Sequence, residues 1–166
     1  MKIIIKSFFL LVLFGVMPSA AQETRPFHAV EKLFAAMSAY DYAAMHDAAT
    51  DDFQLLENGE IWDMARLVDA VRDAEGEIAR RNFFAIIKQV EKEGSVWISY
   101  WNRADFRDTN GEEGSVAWLE SVVVVRDGSE WKLEMMHSTG IKGAENLPEG
   151  LEMQEYVGAN PFLISD

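Results

Sequence analysis

The chain has no cysteine in its 166 residues. Disulfides, thiolate metal sites, cysteine nucleophiles and a cysteine-borne lipid anchor are excluded together. Histidine is scarce. His28, His46 and His137 are scattered and form no His-x-x-x-His pair, so no zinc site is expected. Positive charge is also short: 15 Lys and Arg face 28 Asp and Glu, a formal net charge of −13. Such a chain repels nucleic acid phosphates and anionic membrane surfaces, and nucleic acid is excluded as a partner. There is no Gly-x-Ser-x-Gly elbow, phosphate-cradling glycine loop or dinucleotide fingerprint, so serine hydrolase, kinase and dehydrogenase readings lack support. Asp108-Thr109-Asn110-Gly111 begins like a calcium loop. Counted from its glycine, the first and twelfth ligand positions are Phe106 and Ala117, which cannot ligate calcium. No cofactor and no metal are expected.

Long apolar runs are few, and the first is at the N-terminus. Lys2 and Lys6 precede the run Ser7 to Met17, and Pro18-Ser19-Ala20-Ala21 follows with small residues. This is the layout of a signal peptide cleaved near Ala21. The run is shorter than the about 20 apolar residues a bilayer span needs, so no stable membrane anchor is expected after cleavage. The expected organisation is a signal peptide over 1–21, one domain over 22–141, and a C-terminal extension over 142–166 docked on that domain. The expected location is outside the cytoplasm, in the periplasm.

Beyond the leader the apolar residues are periodic. Phe27, Val30, Phe34 and Met37, widened by Leu33 and Tyr40, make an amphipathic helix behind Pro26. Asp41 caps a short second helix, and Asp63 caps a third carrying Met64, Leu67, Val68 and Val71. Between them, Phe53 and Leu55 alternate with Gln54 in a short strand closed by Asn58-Gly59. Strands are expected at 81–91 and 95–106. Two further apolar runs flank Asp127-Gly128 in SVAWLESVVVVRDGSEWKLEMMHST (115–139), a strong hairpin signal. Helices grouped before a meander of strands indicate an α+β domain with helices on one face of an antiparallel sheet. Phe83 to Ile87 and Val122 to Val125 are apolar on both faces, so the second face also needs a cover. A homodimer partner through that sheet face is expected, with the chain's own tail as the alternative.

Several local patterns then converge: Ala39-Tyr40-Asp41-Tyr42, Thr50-Asp51-Asp52-Phe53, Asn58-Gly59-Glu60-Ile61-Trp62-Asp63, Trp118-Leu119-Glu120-Ser121, Trp131-Lys132-Leu133 and Met136-His137-Ser138-Thr139. Together and in order they resemble the nuclear transport factor 2-like superfamily, also called cystatin-like. Within it they are most similar to the secreted bacterial SnoaL-like (polyketide-cyclase-like) group. The resemblance spans roughly 26–141. It implies a cone-shaped, curved antiparallel sheet wrapped around N-terminal helices, with an apolar pocket, and pairing through the sheet face. Some members of that superfamily are isomerases, dehydratases or cyclases and others bind without known chemistry, so fold alone does not imply activity.

Two residues are candidates for chemistry. His137 ends an apolar stripe and is of the residue type most used as a general acid or base; by alternation it shares a face with Trp131, Leu133 and Met135. Glu120 shares a face with Trp118, Val122 and Val124, and burial there raises its pKa. Structural roles compete for both, a strand-end hydrogen bond for His137 and an ion pair for Glu120. Whether the two meet depends on hairpin register, which one residue of slip reverses. Tyr40, Trp62, Trp101, Trp118, Met135 and His137 are the ligand-pocket candidates, since aromatics with a polar tip suit a largely apolar ligand. The functional expectation is a domain that binds a small apolar molecule. The alternatives are a cofactor-free isomerase, dehydratase or cyclase using His137 and Glu120, or a structural or interaction module whose interior is filled by its own side chains.

Overall fold

The computed structural model describes residues 25–156. The expected signal peptide and its cleavage point lie outside the described residues. Three helices and seven strands follow in the order α1 (His28–Ala39), α2 (Tyr42–Asp47), β1 (Ala49–Glu57), β2 (Glu60–Trp62), α3 (Met64–Arg72), β3 (Ile78–Lys92), β4 (Ser95–Asp108), β5 (Glu113–Asp127), β6 (Glu130–Ile141) and β7 (Gln154–Glu155). Among the described residues no helix is long and apolar enough to cross a membrane.

The helix boundaries follow from their caps. The Asp41 carboxylate accepts from the Ala44 N–H at 3.0 Å, and that of Asp63 from the Arg66 N–H at 2.8 Å. Tyr40 ends α1 in the left-handed region at φ 55, which turns the chain sharply into α2. Asn58 and Gly59 both take positive φ, as a two-residue hairpin of type I′ requires, and this turn pairs β1 with the short β2. The β5–β6 hairpin turns through Gly128 and Ser129, with Asp127 and Glu130 as the last paired residues.

The sheet runs β2-β1-β6-β5-β4-β3-β7, and this corrects the expected architecture. Rather than a cone-shaped, purely antiparallel sheet, the seven strands form an open, mixed sheet that is neither closed nor strongly curled. The reason is topological. β1 joins β6 in parallel, and the short strands β2 and β7 remain as two separate edges. β2 itself lies within Asn58-Gly59-Glu60-Ile61-Trp62-Asp63, where no strand is expected from the sequence. The helices pack on one face, called the inner face below, where Phe27, Val30, Leu33 and Phe34 of the α1 region meet Ile98, Tyr100, Val122, Val124 and Leu133. Phe27 stands edge-on to Tyr100 and to Phe84, with ring centroids 5.1 and 5.5 Å apart.

After β6 the chain makes a 3-10 turn at Ala144–Asn146 and returns to the β3 edge. There β7 pairs with Phe83 and Phe84, the Tyr156 N–H donates to the Asn82 carbonyl, and Arg81 forms a two-pronged bond with Glu155 at 2.7 and 2.8 Å. These contacts shield an edge strand that would otherwise expose unpaired backbone groups.

Candidate functional site

One break in the strand pattern decides which side chains face inward. β6 pairs Met135 with Val123 but Leu133 with Val124, so Glu134 is an extra residue, a β-bulge. Alternation therefore changes phase at Glu134. Trp131 and Leu133 are buried before it, and Met136 and Ser138 are buried after it. Met135 and His137, which strict alternation puts with the core, turn to the opposite face instead.

The inward-facing residues carry a polar row across four strands. Tyr100 pairs with Glu120, Glu120 with Ser138, and Ser138 with Glu57. Glu120 is only 4% exposed. The Asn102 amide donates to its Oε2 and the Ser138 hydroxyl to its Oε1, each at 3.1 Å. Burial pushes the Glu120 carboxyl up to about 7, against the pull of Tyr100, Arg80, Ser138 and Asn102. Tyr100 lies fully buried beside the same carboxylate, and burial raises its phenol well above the usual range. Its hydroxyl makes no hydrogen bond of good geometry, and neither does the buried Oδ1 of Asn102, so this polar row holds two buried oxygens without a partner. At the outer end of the row Glu57 is half-buried, and its partial desolvation raises its carboxyl too.

Glu57, Glu120 and Ser138 line a cavity of about 240 Å³ between the inner face and helices α1 and α3. Its walls are Leu33, Phe34 and Met37 of α1, Leu67 and Val71 of α3, and Trp62, Phe106, Trp118 and Met136 from the sheet. Tyr40 closes one side; its ring lines the cavity while its hydroxyl faces the carbonyls of Ala74, at 2.9 Å, and Ile78. Arg80 enters from β3. Its guanidinium lies over the rings of Phe34, Phe106 and Trp118, 5.1 to 5.6 Å from their centroids. It is half-buried, but its surroundings still desolvate it enough to pull its pKa down to about 10. Other polar pairs lie away from this cavity, including Glu31 with Arg25 and His28, and Tyr42 with Glu75.

Of the residues singled out from sequence, Glu120, Tyr40, Trp62 and Trp118 meet in the cavity. His137, Trp101 and Met135 do not line it. Trp101 pairs with Leu119 and Met135 with Val123 on the outer face, and His137 is exposed there between Ser121 and Leu56. His137 and Glu120 thus point to opposite sides of the sheet. Arg80, Glu57 and Ser138 were not among the candidates. For Arg80 the available signal was the alternation Arg80, Asn82, Phe84, which extends β3 one turn of the pleat earlier than Arg81. Among the described residues no group of three or more His, Asp or Glu side chains could hold a metal.

No family model matches the chain, and no curated protein matches it. Solved structures do share its fold. A ketosteroid isomerase-like protein from Erwinia carotovora atroseptica superposes with a TM-score of 0.58 at 13% identity, over 74% of this chain and 98% of that one. A nuclear transport factor 2-like protein from Rhodospirillum rubrum gives 0.59 at 17% identity, over 72% and 100%. The association domain of a C. elegans calcium/calmodulin-dependent protein kinase II gives 0.53 at 16%, over 68% and 90%. Identities this low establish the fold alone. The chain has the nuclear transport factor 2-like fold, and its buried polar and aromatic residues are consistent with a small-molecule-binding or catalytic cavity.

Proposed function

We propose that this protein is an enzyme of the proton-transfer type, an isomerase, dehydratase or cyclase, acting on a small and mostly apolar molecule held between the sheet and helices α1 and α3. The observation that carries this reading is Glu120. A carboxyl group in the wall of an apolar cavity, with a pKa near 7, is close to equally able to give and to take a proton at neutral pH. Ordinary core packing gives no reason to bury such a group; satisfying it takes both Asn102 and Ser138. The chemistry asks for no cofactor. Ser138 lies between Glu120 and Glu57, and a proton leaving the buried acid has a route through that hydroxyl to a carboxylate nearer solvent.

We further place the chain with the secreted SnoaL-like group on the residue patterns that link it to that superfamily, and hold it to be exported, periplasmic and homodimeric. Support for the dimer is the outer sheet face, where Trp97 and Leu119 are 39% and 42% exposed beside Trp101, Val123 and Met135.

Native mass spectrometry of the protein purified from its own host identifies a co-purifying ligand and the subunit count in one measurement. With that ligand, hydrogen–deuterium exchange at its carbon positions in heavy water is followed for wild type and Glu120→Gln. Exchange that depends on Glu120 supports the proposal. Exchange that is absent in wild type, with tight binding, makes the protein a binding module and overturns it.

A further inference from the structure

Arg80 does not behave as a structural arginine. A guanidinium drawn even partly out of water is ordinarily held by a carboxylate, because desolvating its charge costs more than packing returns. Among the described residues its one hydrogen bond is from Nε to Asn82 Oδ1, at 2.7 Å, and no carboxylate closes an ion pair with it. Glu57 and Glu120 act on it only across the cavity that all three line. The Phe34, Phe106 and Trp118 rings fix the plane of the group without satisfying its donors. With Nε committed to Asn82, the part left for a ligand is the edge formed by the two Nη amino groups. Two parallel N–H donors on one edge match the two oxygens of a carboxylate. A doubly charged phosphate fits less well, since one arginine would face it together with Glu57 and Glu120. The cavity, about 240 Å³, also suits a compact molecule.

We propose that Arg80 anchors the carboxylate of a small organic acid whose apolar body lies against Phe34, Trp62 and Trp118. The inference rests on the proposed ligand cavity and names its substrate class.

Calorimetric titration of the whole protein with benzoate, hexanoate, benzamide and phenyl phosphate tests it, using wild type, Arg80→Met and Arg80→Lys. Benzoate or hexanoate is expected to bind wild type about tenfold or more tightly than benzamide, the range of a charge-assisted hydrogen-bonded pair. Arg80→Met is expected to erase that preference and leave benzamide within about threefold, and Arg80→Lys to restore part of it. Benzamide binding as tightly as the acids overturns the carboxylate anchor while leaving the cavity reading intact. A preference for phenyl phosphate overturns it in favour of a phosphate ligand. Absence of binding by all four overturns both readings. Melting curves check that each variant folds; if Arg80→Met does not, the ranking of the four ligands on wild type decides.

Discussion

The two faces of the sheet place polar side chains in opposite settings, covered on one and open to solvent at His137 on the other. On the inner face, a row of polar side chains, Tyr100, Glu120, Ser138 and Glu57, is set into an otherwise apolar surface and covered by helices. The outer face reverses this. Its middle row is polar, with Ser99 and Ser121 half-buried and His137 exposed, and large apolar side chains lie on either side, Trp97, Val123 and Met135 in one row and Trp101 and Leu119 in the other. The same alternation of residues along β4 and β5 builds both. What differs is the cost of each group in its setting. A carboxylate is expensive on the covered face and persists there with dedicated partners, whereas an exposed histidine costs little and carries no such signature.

The largest expected effect of breaking this contrast is on chemistry. Glu120→Gln keeps the shape, removes the titrating proton and turns one of the two acceptor oxygens into a donor, which the Ser138 hydroxyl can accept by rotating. Turnover is expected to fall by about 10²–10⁴-fold, the usual contribution of a positioned acid or base, with ligand affinity little changed. Steady-state rates and binding isotherms measured on the same preparations separate the two. An equal loss in affinity and turnover would reduce Glu120 to a ligand contact.

The same substitution has a stability signature. The Glu120 carboxyl is pushed up to about 7 in the folded protein from an ordinary 4.5, so the folded state binds its proton more tightly. The stabilisation from that proton is complete below about 4.5 and is lost as pH rises through about 7. The loss corresponds to roughly 3 kcal/mol. Urea unfolding of wild type and Glu120→Gln at pH 4.5 and pH 8 is expected to show the variant gaining by that order on going to pH 8. A gap that does not change with pH would mean that Glu120 is effectively solvated.

How much of this contrast was readable in advance depends on locality. The hairpin from Ser115 to Thr139 is a local signal, and β5 and β6 pair across its turn. Glu120 was recognisable because its neighbours two residues away, Trp118 and Val122, are apolar, and β5 keeps strict alternation through them. β6 does not. Nothing in Glu-Met-Met-His announces that Glu134 bulges, so plain alternation runs one residue out of phase beyond it and sets His137 on the face of Trp131 and Leu133. The parallel pairing of β1 with β6 joins segments about eighty residues apart, and no short-range pattern encodes it. Arg80 was hidden for another reason: basic residues at a strand start are commonly solvated, and only the rings of Phe34, Phe106 and Trp118, brought from three different elements, enclose it.

On the outer face the expected effect is on association. Leu119→Lys and Trp97→Glu each place a charge among apolar neighbours without touching the helix-covered core. If that face is a twofold interface, light scattering on the wild type reports a dimer and the variants weaken it by about tenfold or more, because each charge meets its own copy's surroundings across the contact. Melting temperatures of the variants at low concentration are expected to stay close to that of wild type. A wild type that remains monomeric would end the dimer proposal.

The smallest expected effect is the most specific to the two-face comparison. His137 and Ser138 are adjacent in sequence, but the bulge at Glu134 sends the first to the exposed face and the second to the carboxylate of Glu120. His137→Ala is therefore expected to leave turnover within about twofold, as surface substitutions away from a site usually do. Ser138→Ala removes a donor to a buried carboxylate and is expected to cost about 1–3 kcal/mol in stability and to shift the pH at which turnover changes. If the two variants exchanged these behaviours, the inward stripe of β6 would run through His137, and the bulge, with every inner-face assignment downstream of it, would be misplaced by one residue.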